Sequence, residues 1–456
     1  MGIDASRRQM AAGQEILNQL PGKNVRLECR DILEITPEFG QFDYIICHGV
    51  FSWVPRNVQD HILAICQQNL SPSGIAYVSY NTYPGWRMRG TIRDMMVFHT
   101  RRYETPQDRV GHSRALLDFL VKTVPEENNA YGRFLRSEME LLRDKADYYL
   151  LHEHLEAVNE PIYFHEFAER AAEHKLQYIA EAEWGASSLE GFGPNAEKIV
   201  RALGRDQIEC EQYVDFLRNR MFRQTLLCHA EAKLDRRPEI ARLRGLHWAS
   251  PVVPKGPAKI RSDEPQEFTA GHGTLTTKSP LLKAALLALS ERWPESLSLT
   301  KLLAVVQSRL YVEPVVDAKR IQADEVQLGE RLLECLSRRF VEVSACPPPC
   351  AAIPAARPLA SPLARLQAKS SPRVANLLHQ MVSLTDMGRE VLQLSDGQRD
   401  EAENSQIVLD KVNARQLVHI HDEEGKAQPE EVRSMIGRAV QDSLRQLARQ
   451  GLILAE

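Results

Sequence analysis

Two aspartates near the start of the 456-residue chain follow neighbouring predicted strands. Asp4 comes directly before a helix that opens with the capping-box pattern Ser6-x-x-Gln9. Asp31 lies three residues after the next predicted strand, residues 25–28. At the carboxyl ends of parallel strands, one carboxylate can accept hydrogen bonds from both hydroxyls of a ribose. Another can accept a hydrogen bond from the exocyclic amine of an adenine. The pair therefore predicts an adenosine-binding site, with helix-cap or turn roles as the alternative.

A histidine and a glycine follow the next buried strand, residues 42–47. His48 could act as a base or a hydrogen-bond donor near neutral pH, and Gly49 would let the backbone approach a ligand closely. Trp53 follows in the same segment and could contact a substrate. The alternative is structural: His48 would be a half-buried residue at a strand end, and Trp53 would pack in the core.

The most distinctive run, YNTYPGW at residues 80–86, directly follows a predicted strand at residues 75–79. Its aromatic rings could line a channel for an alkylammonium chain and favour the cation by ring-face attraction. The side-chain carbonyl of Asn81 could orient a nucleophile. Alternatively, the run is an apolar loop that anchors the helices after it. The predicted catalytic residues are His48, Tyr80, Asn81 and Tyr83, and the predicted substrate contacts are Trp53, Tyr83, Pro84 and Trp86.

Composition narrows the class of protein. The apolar fraction of 43% and the charged fraction of 26% are ordinary for globular proteins, and the length predicts two to four domains. A net charge of -4 gives no field that favours nucleic acid or an anionic membrane. The longest strongly apolar stretch, residues 281–289, contains Lys283 and is too short to span a bilayer. Eight sparse cysteines, most of them inside apolar runs, indicate reduced thiols and a cytoplasmic protein.

Several common catalytic signatures do not occur in the sequence. It has no P-loop, no G-x-S-x-G and no H-E-x-x-H motif. His419, His421 and Asp422 could ligate a metal ion, but we do not predict a metal site.

Strands alternate with helices over the first 80 residues, which predicts a parallel sheet covered by helices. Further strands are predicted at residues 176–180 and 221–228. We therefore predict one α/β domain over residues 1–232, with a helical insertion near residues 91–160.

The remaining residues have a different pattern. Residues 233–345 contain three predicted helices and then a short strand, which indicates a winged-helix-like accessory domain. A Pro/Ala-rich connector at residues 346–362 leads to a second such domain at residues 363–456. Because neither domain has a dense basic helix, we expect protein interaction and not DNA binding.

The chain resembles the class I S-adenosylmethionine-dependent methyltransferases that carry a methyltransferase regulatory domain. This group includes bacterial surface-protein lysine methyltransferases. The resemblance covers residues 1 to about 230. Its segments are GIDAS at 2–6, RDIL at 30–33, FDYIICHGVFSWVP at 42–55, AYVSYNTYPGW at 76–86, HEHLE at 152–156, NEPIYFHEF at 159–167 and FRQTLLC at 222–228.

The resemblance implies a Rossmann-like sheet in which residues 176–180 are the sixth strand and residues 221–228 the antiparallel seventh. Mostly α, winged-helix-like domains would follow it. The cofactor would be S-adenosyl-L-methionine and the partner a lysine-bearing protein. Apart from the resemblance, the charge balance predicts no nucleic-acid partner, and the expected exposed sheet edge and the interaction-type helices favour a homodimer. The implied roles are the cofactor ribose for Asp4, the adenine for Asp31 and Ile32, the methionine moiety for His48 and Gly49, and the substrate side for residues 80–86.

One departure from the family bears on activity. Members begin with a strand and a glycine-rich turn before the Asp4 strand, whereas Met1 of this chain lies inside that second strand. The missing strand belongs at the centre of the sheet, so we expect an incomplete sheet from a truncated start, a gene fragment or half of a split protein.

Three functions are compared. The first is methylation of protein lysines, and the second is a non-catalytic interaction module derived from a methyltransferase. A nicotinamide-dependent oxidoreductase is disfavoured by the HGVFSW run after the fourth strand and by the apparent seventh strand.

Overall fold

The computed structural model describes residues 1–22, 24–189, 191–236, 239–414 and 429–455. The metal candidates His419, His421 and Asp422 lie outside these residues. The chain divides into two compact units. One consists of Gly2–Met10 and Glu28–Asp235, and the other of Met1, Ala11–Leu27 and Arg236–Glu456.

The described residues before 236 contain six strands, which form two sheets. β1 (Gly2–Asp4) pairs with β2 (Leu27–Cys29). β3 (Phe42–Cys47), β4 (Leu70–Asn81), β5 (Leu176–Glu181) and β6 (Phe222–His229) form a sheet of order β3-β4-β6-β5. β3 and β4 are parallel, whereas β6 is antiparallel to both of its neighbours. The predicted α/β fold with an antiparallel seventh strand is therefore confirmed.

β4 begins earlier than the strand predicted at residues 75–79, and it includes the run SPSG at residues 71–74, whose residue types favour turns. The strand already begins at Leu70, which pairs with Phe42, and the register then shifts before Tyr44. Gly74 lies so close to its surroundings that a Cβ atom there would be 2.8 Å from the Leu70 side chain. Cross-strand pairing thus outweighs the turn-forming composition of this segment.

Nine helices accompany these strands in the described ranges. Ser6 caps the first of them as predicted, because its hydroxyl accepts from the backbone N–H of Gln9 at 3.3 Å. The helical insertion begins earlier than expected and consists of four helices, α3 to α6, with a hydrophobic core of their own. The helices are α1 (Arg7–Asn18), α2 (Arg56–Gln68), α3 (Gly85–Thr100), α4 (Pro106–Thr123), α5 (Ala130–Arg143), α6 (Asp147–Leu155), α7 (Phe164–Glu173), α8 (Ala196–Leu203) and α9 (Gln207–Arg218).

The two faces of the larger sheet are covered unequally. On one face, alternate residues of β4 pack with side chains from α2 and α7 in a single core. On β3, by contrast, Tyr44 and Ile46 expose 72% and 73% of their surface. The continuous apolar sequence of β3 is typical of a strand that is buried on both faces, so this exposure is unusual.

The second unit contains small sheets and seven further helices in its described residues. α10 to α12 pack with an antiparallel sheet of order β11-β7-β12, and α13 to α16 surround a separate core. The strands are β7 (His247–Ala249), β8 (Val253–Pro254), β9 (Gln266–Ala270), β10 (Gly273–Thr277), β11 (Leu297–Ser298), β12 (Glu342–Ser344), β13 (Arg373–Ala375) and β14 (Met381–Ser383). The helices are α10 (Pro280–Arg292), α11 (Leu299–Leu310), α12 (Ala318–Ser337), α13 (Pro362–Ala368), α14 (Asp386–Leu394), α15 (Glu401–Asn413) and α16 (Pro429–Arg449).

The Pro/Ala-rich segment at residues 346–362 pairs with residues at the end of the chain. Cys350 and Ala360 are buried and form isolated β-bridges with Leu454 and Ile453.

None of the helices in the described ranges combines the length and the apolar composition that a bilayer crossing requires.

The helical insertion contains a buried histidine, His154, at the end of α6. Its side chain is fully buried, and neither ring nitrogen has a hydrogen-bond partner among the described residues. Burial, together with the positive charges of Arg89 and Arg93, lowers the pKa of His154 to about 4. The neutral imidazole is therefore the form that the folded insertion accommodates.

We expect the stability of this insertion to fall as the pH drops from about 6.5 to about 4, because the unfolded chain takes up the His154 proton first. Between pH 7 and pH 5 the loss should be about 2 kcal/mol. His154→Leu should remove this pH dependence, measured as the opening free energy from hydrogen exchange of peptides from α3 to α6. His152→Leu, an exposed position on the same helix, is the matched control. Equal pH dependence in the His154→Leu variant and the natural chain would contradict the assignment.

Candidate active site

The carboxyl end of β4 brings most of the predicted catalytic residues to one sheet edge. Alternate residues of a strand point to opposite faces. Tyr80 faces the core between the sheet and its helices, whereas Ser79 and Tyr77 contact His48, which follows β3. The site is therefore built on the face opposite Tyr80 and on the loop after Asn81.

His48 is held by two hydroxyl groups. Its Nδ1 atom lies 2.9 Å from the Tyr77 hydroxyl and 3.2 Å from Ser79 Oγ. Ser79 Oγ also accepts from the backbone N–H of Gly49 at 2.9 Å. Because neither partner is a carboxylate, this arrangement suits a group that orients a ligand by hydrogen bonding better than it suits a strong base.

Gly49 has a left-handed backbone, with φ of +68°, which favours glycine. No heavy atom lies within 4 Å of the position that a Cβ atom would take there. The open space beside an exposed His48 is consistent with close approach of a ligand to the backbone, as predicted for this pair.

Asn81 is held by three hydrogen bonds at the end of β4. Its backbone N–H donates to Ser52 Oγ at 2.8 Å, its backbone carbonyl accepts from the N–H of Ile162 at 3.1 Å, and its side-chain amide donates to Asn159 Oδ1 at 3.0 Å. In the sequence, Ser52 and Asn159 are distinguished only as members of the segments 42–55 and 159–167. Their role depends on contacts between distant segments, which no local pattern indicates.

Two pairs of aromatic rings flank the loop after Asn81. The centroids of Tyr83 and Tyr163 are 5.2 Å apart, and those of Trp53 and Trp86 are 6.3 Å apart. Trp86 is buried, whereas Tyr83, Trp53 and the intervening Pro84 are half-buried. The half-buried rings can contact a substrate. Trp86 instead packs against Trp53, so the substrate contact predicted for Trp86 is wrong.

Tyr80 does not fit the catalytic role predicted for it. It exposes only 1% of its surface, and its ring stacks on Phe167 with centroids 4.1 Å apart. Its hydroxyl lies 3.1 Å from Thr225 Oγ1, inside the core. Since the side chain is fully enclosed, Tyr80 is a packing residue, and the catalytic role predicted for it is wrong.

Asp4 and Asp31 lie at neighbouring strand ends, because the backbone N–H of Arg30 donates to the carbonyl of Asp4 at 3.0 Å. Each carboxylate is exposed and accepts one local backbone N–H, from Ser6 at 2.7 Å and from Leu33 at 2.9 Å. Asp4 and Asp31 therefore have the local capping role that was the alternative prediction. Each carboxylate also has further lone pairs that can accept hydrogen bonds from a ligand. Ile32 is half-buried and packs against the core of the sheet.

A buried cluster of charges around Arg223 of β6 was not predicted from the sequence. The guanidinium of Arg223 donates to Asp215 at 2.8 and 2.9 Å, to Glu181 at 2.6 Å and to Glu211 at 3.0 Å. Glu181 in turn accepts from Thr225, the partner of Tyr80. Alternation along β6 could have placed Arg223 on the core face with Thr225, but its carboxylate partners come from other elements.

Comparison with known proteins identifies related domains. Residues 146–229 match the family model described as predicted methyltransferase regulatory domain, which overlaps the predicted helical insertion only over residues 146–160. Residues 356–452 match the family model described as PKMT, C-terminal winged helix domain.

Relatives occur in Rickettsia. The uncharacterized protein RP789 of Rickettsia prowazekii is 32% identical over 442 residues, which is 95% of this chain and 78% of that protein. RP028 of the same organism, also uncharacterized, is 44% identical over 171 residues, covering 38% of this chain and 68% of that protein.

Solved structures match the whole fold. The structure of PKMT2 from Rickettsia typhi has a TM-score of 0.87 at 28% identity and covers 99% of this chain and 88% of that chain. The same protein in complex with AdoHcy gives a TM-score of 0.88 at 29% identity, with the same coverage.

The sheet with its antiparallel β6, the site at the carboxyl strand ends and these matches define the class: an S-adenosylmethionine-dependent methyltransferase with a Rossmann-like fold. The chain belongs to the same family as RP789. Its own sequence matches both the methyltransferase regulatory domain and the PKMT C-terminal winged-helix domain.

Ser52→Ala should destabilise the end of β4 by about 1–3 kcal/mol, because it leaves the buried N–H of Asn81 without an acceptor. Hydrogen exchange of peptides from residues 76–86 measures this loss. Ser71→Ala, which removes a hydroxyl bonded to Asp43 at the exposed start of the same strand, should cost less than about 0.5 kcal/mol. If both variants exchange alike, Ser52 does not fix Asn81.

Proposed function

We propose that this protein transfers a methyl group from S-adenosylmethionine to the side-chain amine of lysines in a protein substrate. The observation that carries the proposal is the match between 99% of this chain and PKMT2 bound to AdoHcy, the compound that S-adenosylmethionine becomes on losing its methyl group. The geometry at the ends of β1, β3 and β4 supports it independently.

The strand ends offer donors and acceptors that fit this cofactor. Asp4 would bind the ribose hydroxyls, and Asp31 with Ile32 would bind the adenine. His48 and Gly49 would lie at the methionine moiety. The exposed carboxylates and the open space at Gly49 are consistent with these roles.

Methyl transfer from this cofactor requires mainly that the protein align the amine with the methyl group and exclude water. When bound, S-adenosylmethionine supplies a methyl group that its sulfonium already activates. The chain must hold the amine in line with that methyl group and in its neutral form. Tyr83, Trp53 and Pro84 would exclude water and so lower the pKa of the amine, while Asn81 and His48 orient it.

The proposal includes a further strand beside β3. Among the described residues β3 pairs only with β4, β1 and β2 form a separate sheet, and Tyr44 and Ile46 are largely exposed. A strand in this position that carried a glycine-rich turn would bring backbone N–H groups to the cofactor. The same open edge supports the alternative, a non-catalytic interaction module that pairs with another protein.

A cytoplasmic location and a homodimer complete the proposal. The eight cysteines all lie within the described residues and form no disulfide, and most of them are buried. The exposed edge and face of β3 offer a surface for self-association.

Calorimetry with AdoHcy tests cofactor binding and separates the two functions. We expect a chain extended at its start by a strand and a Gly-x-Gly turn to bind at least about 10-fold more tightly than the present chain. Asp4→Asn in the extended chain should weaken binding again. No binding by either chain would favour the interaction module and overturn the methyltransferase proposal.

Transfer of tritiated methyl groups to poly-L-lysine tests the substrate class, with poly-L-arginine as the negative acceptor. In a chain that binds AdoHcy, Asn81→Ala and Tyr83→Ala should each lower kcat/KM by about 10-fold or more, which is about 1.4 kcal/mol of transition-state stabilisation. Tyr148→Ala, at an exposed tyrosine of α6, is the matched control. Unchanged activity in the first two variants, or equal labelling of poly-L-arginine, would contradict the proposal.

A further inference from the structure

An arginine of this chain lies on the aromatic pair beside the site. The Cζ atom of Arg87, in the first turn of α3, is 3.9 Å from the ring centroid of Tyr83 and 6.0 Å from that of Tyr163. The two tyrosine rings are inclined at 52° to each other. The guanidinium thus lies over the face of one ring and within reach of the other, which is the position that a bound cation prefers.

Both tyrosines are positioned by the backbone at the end of β4. Tyr83 directly follows Thr82, which forms a parallel bridge with Ile162, and Tyr163 follows Ile162. The N–H of Tyr163 also donates to Glu166 Oε2 at 3.1 Å in the capping box of α7. The ring pair is therefore a fixed feature two residues beyond Asn81.

The guanidinium of Arg87 has no carboxylate or carbonyl partner within the described part of the chain, and its side chain is exposed. Two other arginines of α3 differ in this respect. Arg89 forms an ion pair with Glu138, and Arg93 donates to the carbonyl of Glu156. Since an exposed cation–π contact is weak, another cation can take the place of Arg87 without breaking an ion pair.

We propose that Tyr83 and Tyr163 form a binding site for an alkylammonium cation, and that Arg87 occupies this site until a substrate cation displaces it. The identification of that cation as a lysine side chain rests on the proposed function. Tyr163 is then a specificity residue, because the ring faces of the pair attract a cation and not a neutral side chain. The site receives the charged side chain before its amine loses a proton.

Titration with choline tests the site, and 3,3-dimethylbutan-1-ol serves as its neutral counterpart of the same shape. Chemical shifts of the tyrosine rings report binding, and neither cofactor nor methyl transfer is needed. Arg87→Ala should bind choline at least about fivefold more tightly than the natural chain and should not bind the neutral alcohol. Arg101→Ala, which removes a guanidinium 4.3 Å from the Phe98 ring at the end of the same helix, should bind choline as the natural chain does.

Two further variants test which groups form the site. In the Arg87→Ala background, Tyr163→Leu should abolish choline binding, whereas Tyr163→Phe should retain it because the ring face is kept. Equal choline affinity with and without Arg87, or binding that survives Tyr163→Leu, would overturn the inference. Choline binding without AdoHcy binding would refute only the proposed function. AdoHcy binding without choline binding would refute only this inference.

Discussion

The buried guanidinium of Arg223 fixes the part of the fold on which the site depends. It has no exposed surface and contacts carboxylates from β5 and from α9, so it joins three elements at one point. The cost of burying these charges offsets much of their mutual attraction, so such a cluster adds little net stability. Removal of one partner nevertheless costs about 3–5 kcal/mol, because charges remain buried and unpaired. The antiparallel β6 is thereby specified between β4 and β5, where any other register would leave these charges without partners.

The position of the site follows from this constraint. Glu181 and Thr225 connect the charge cluster to the hydroxyl of Tyr80, which holds that side chain inward. Alternation along β4 then directs Ser79 to the opposite face, where it contacts His48, and the bonds from Ser52 and Ile162 fix Asn81. The aromatic loop therefore leaves the sheet at a defined point, and Tyr83 comes to lie against Tyr163.

Local patterns predicted much of the sheet but not the contacts that make the site. The apolar runs of β3, β5 and β6 were found because burial and strand periodicity leave a signal in sequence. The prediction for Tyr80 is wrong because it is the one aromatic residue of the run that lies within β4, where alternation places its side chain in the core. The partners of Arg223 are 8, 12 and 42 residues away, and Tyr163 meets Tyr83 only through the Thr82–Ile162 bridge, so tertiary structure was needed to find them.

β3 lies at the edge of the larger sheet but has the sequence of an interior strand. A natural edge strand usually carries lysine, proline or inward-pointing charges that discourage pairing. β3 has the sequence FDYIIC, in which the one charge, Asp43, accepts a hydrogen bond from Ser71 of its neighbour. This is the composition of a strand with partners on both sides, yet in the described residues β3 pairs only with β4, and Tyr44 and Ile46 on its outer face are exposed. Because the core of the sheet lies on its other face, the fold does not require a partner on the open edge, whereas a cofactor held by backbone N–H groups at the sheet centre does.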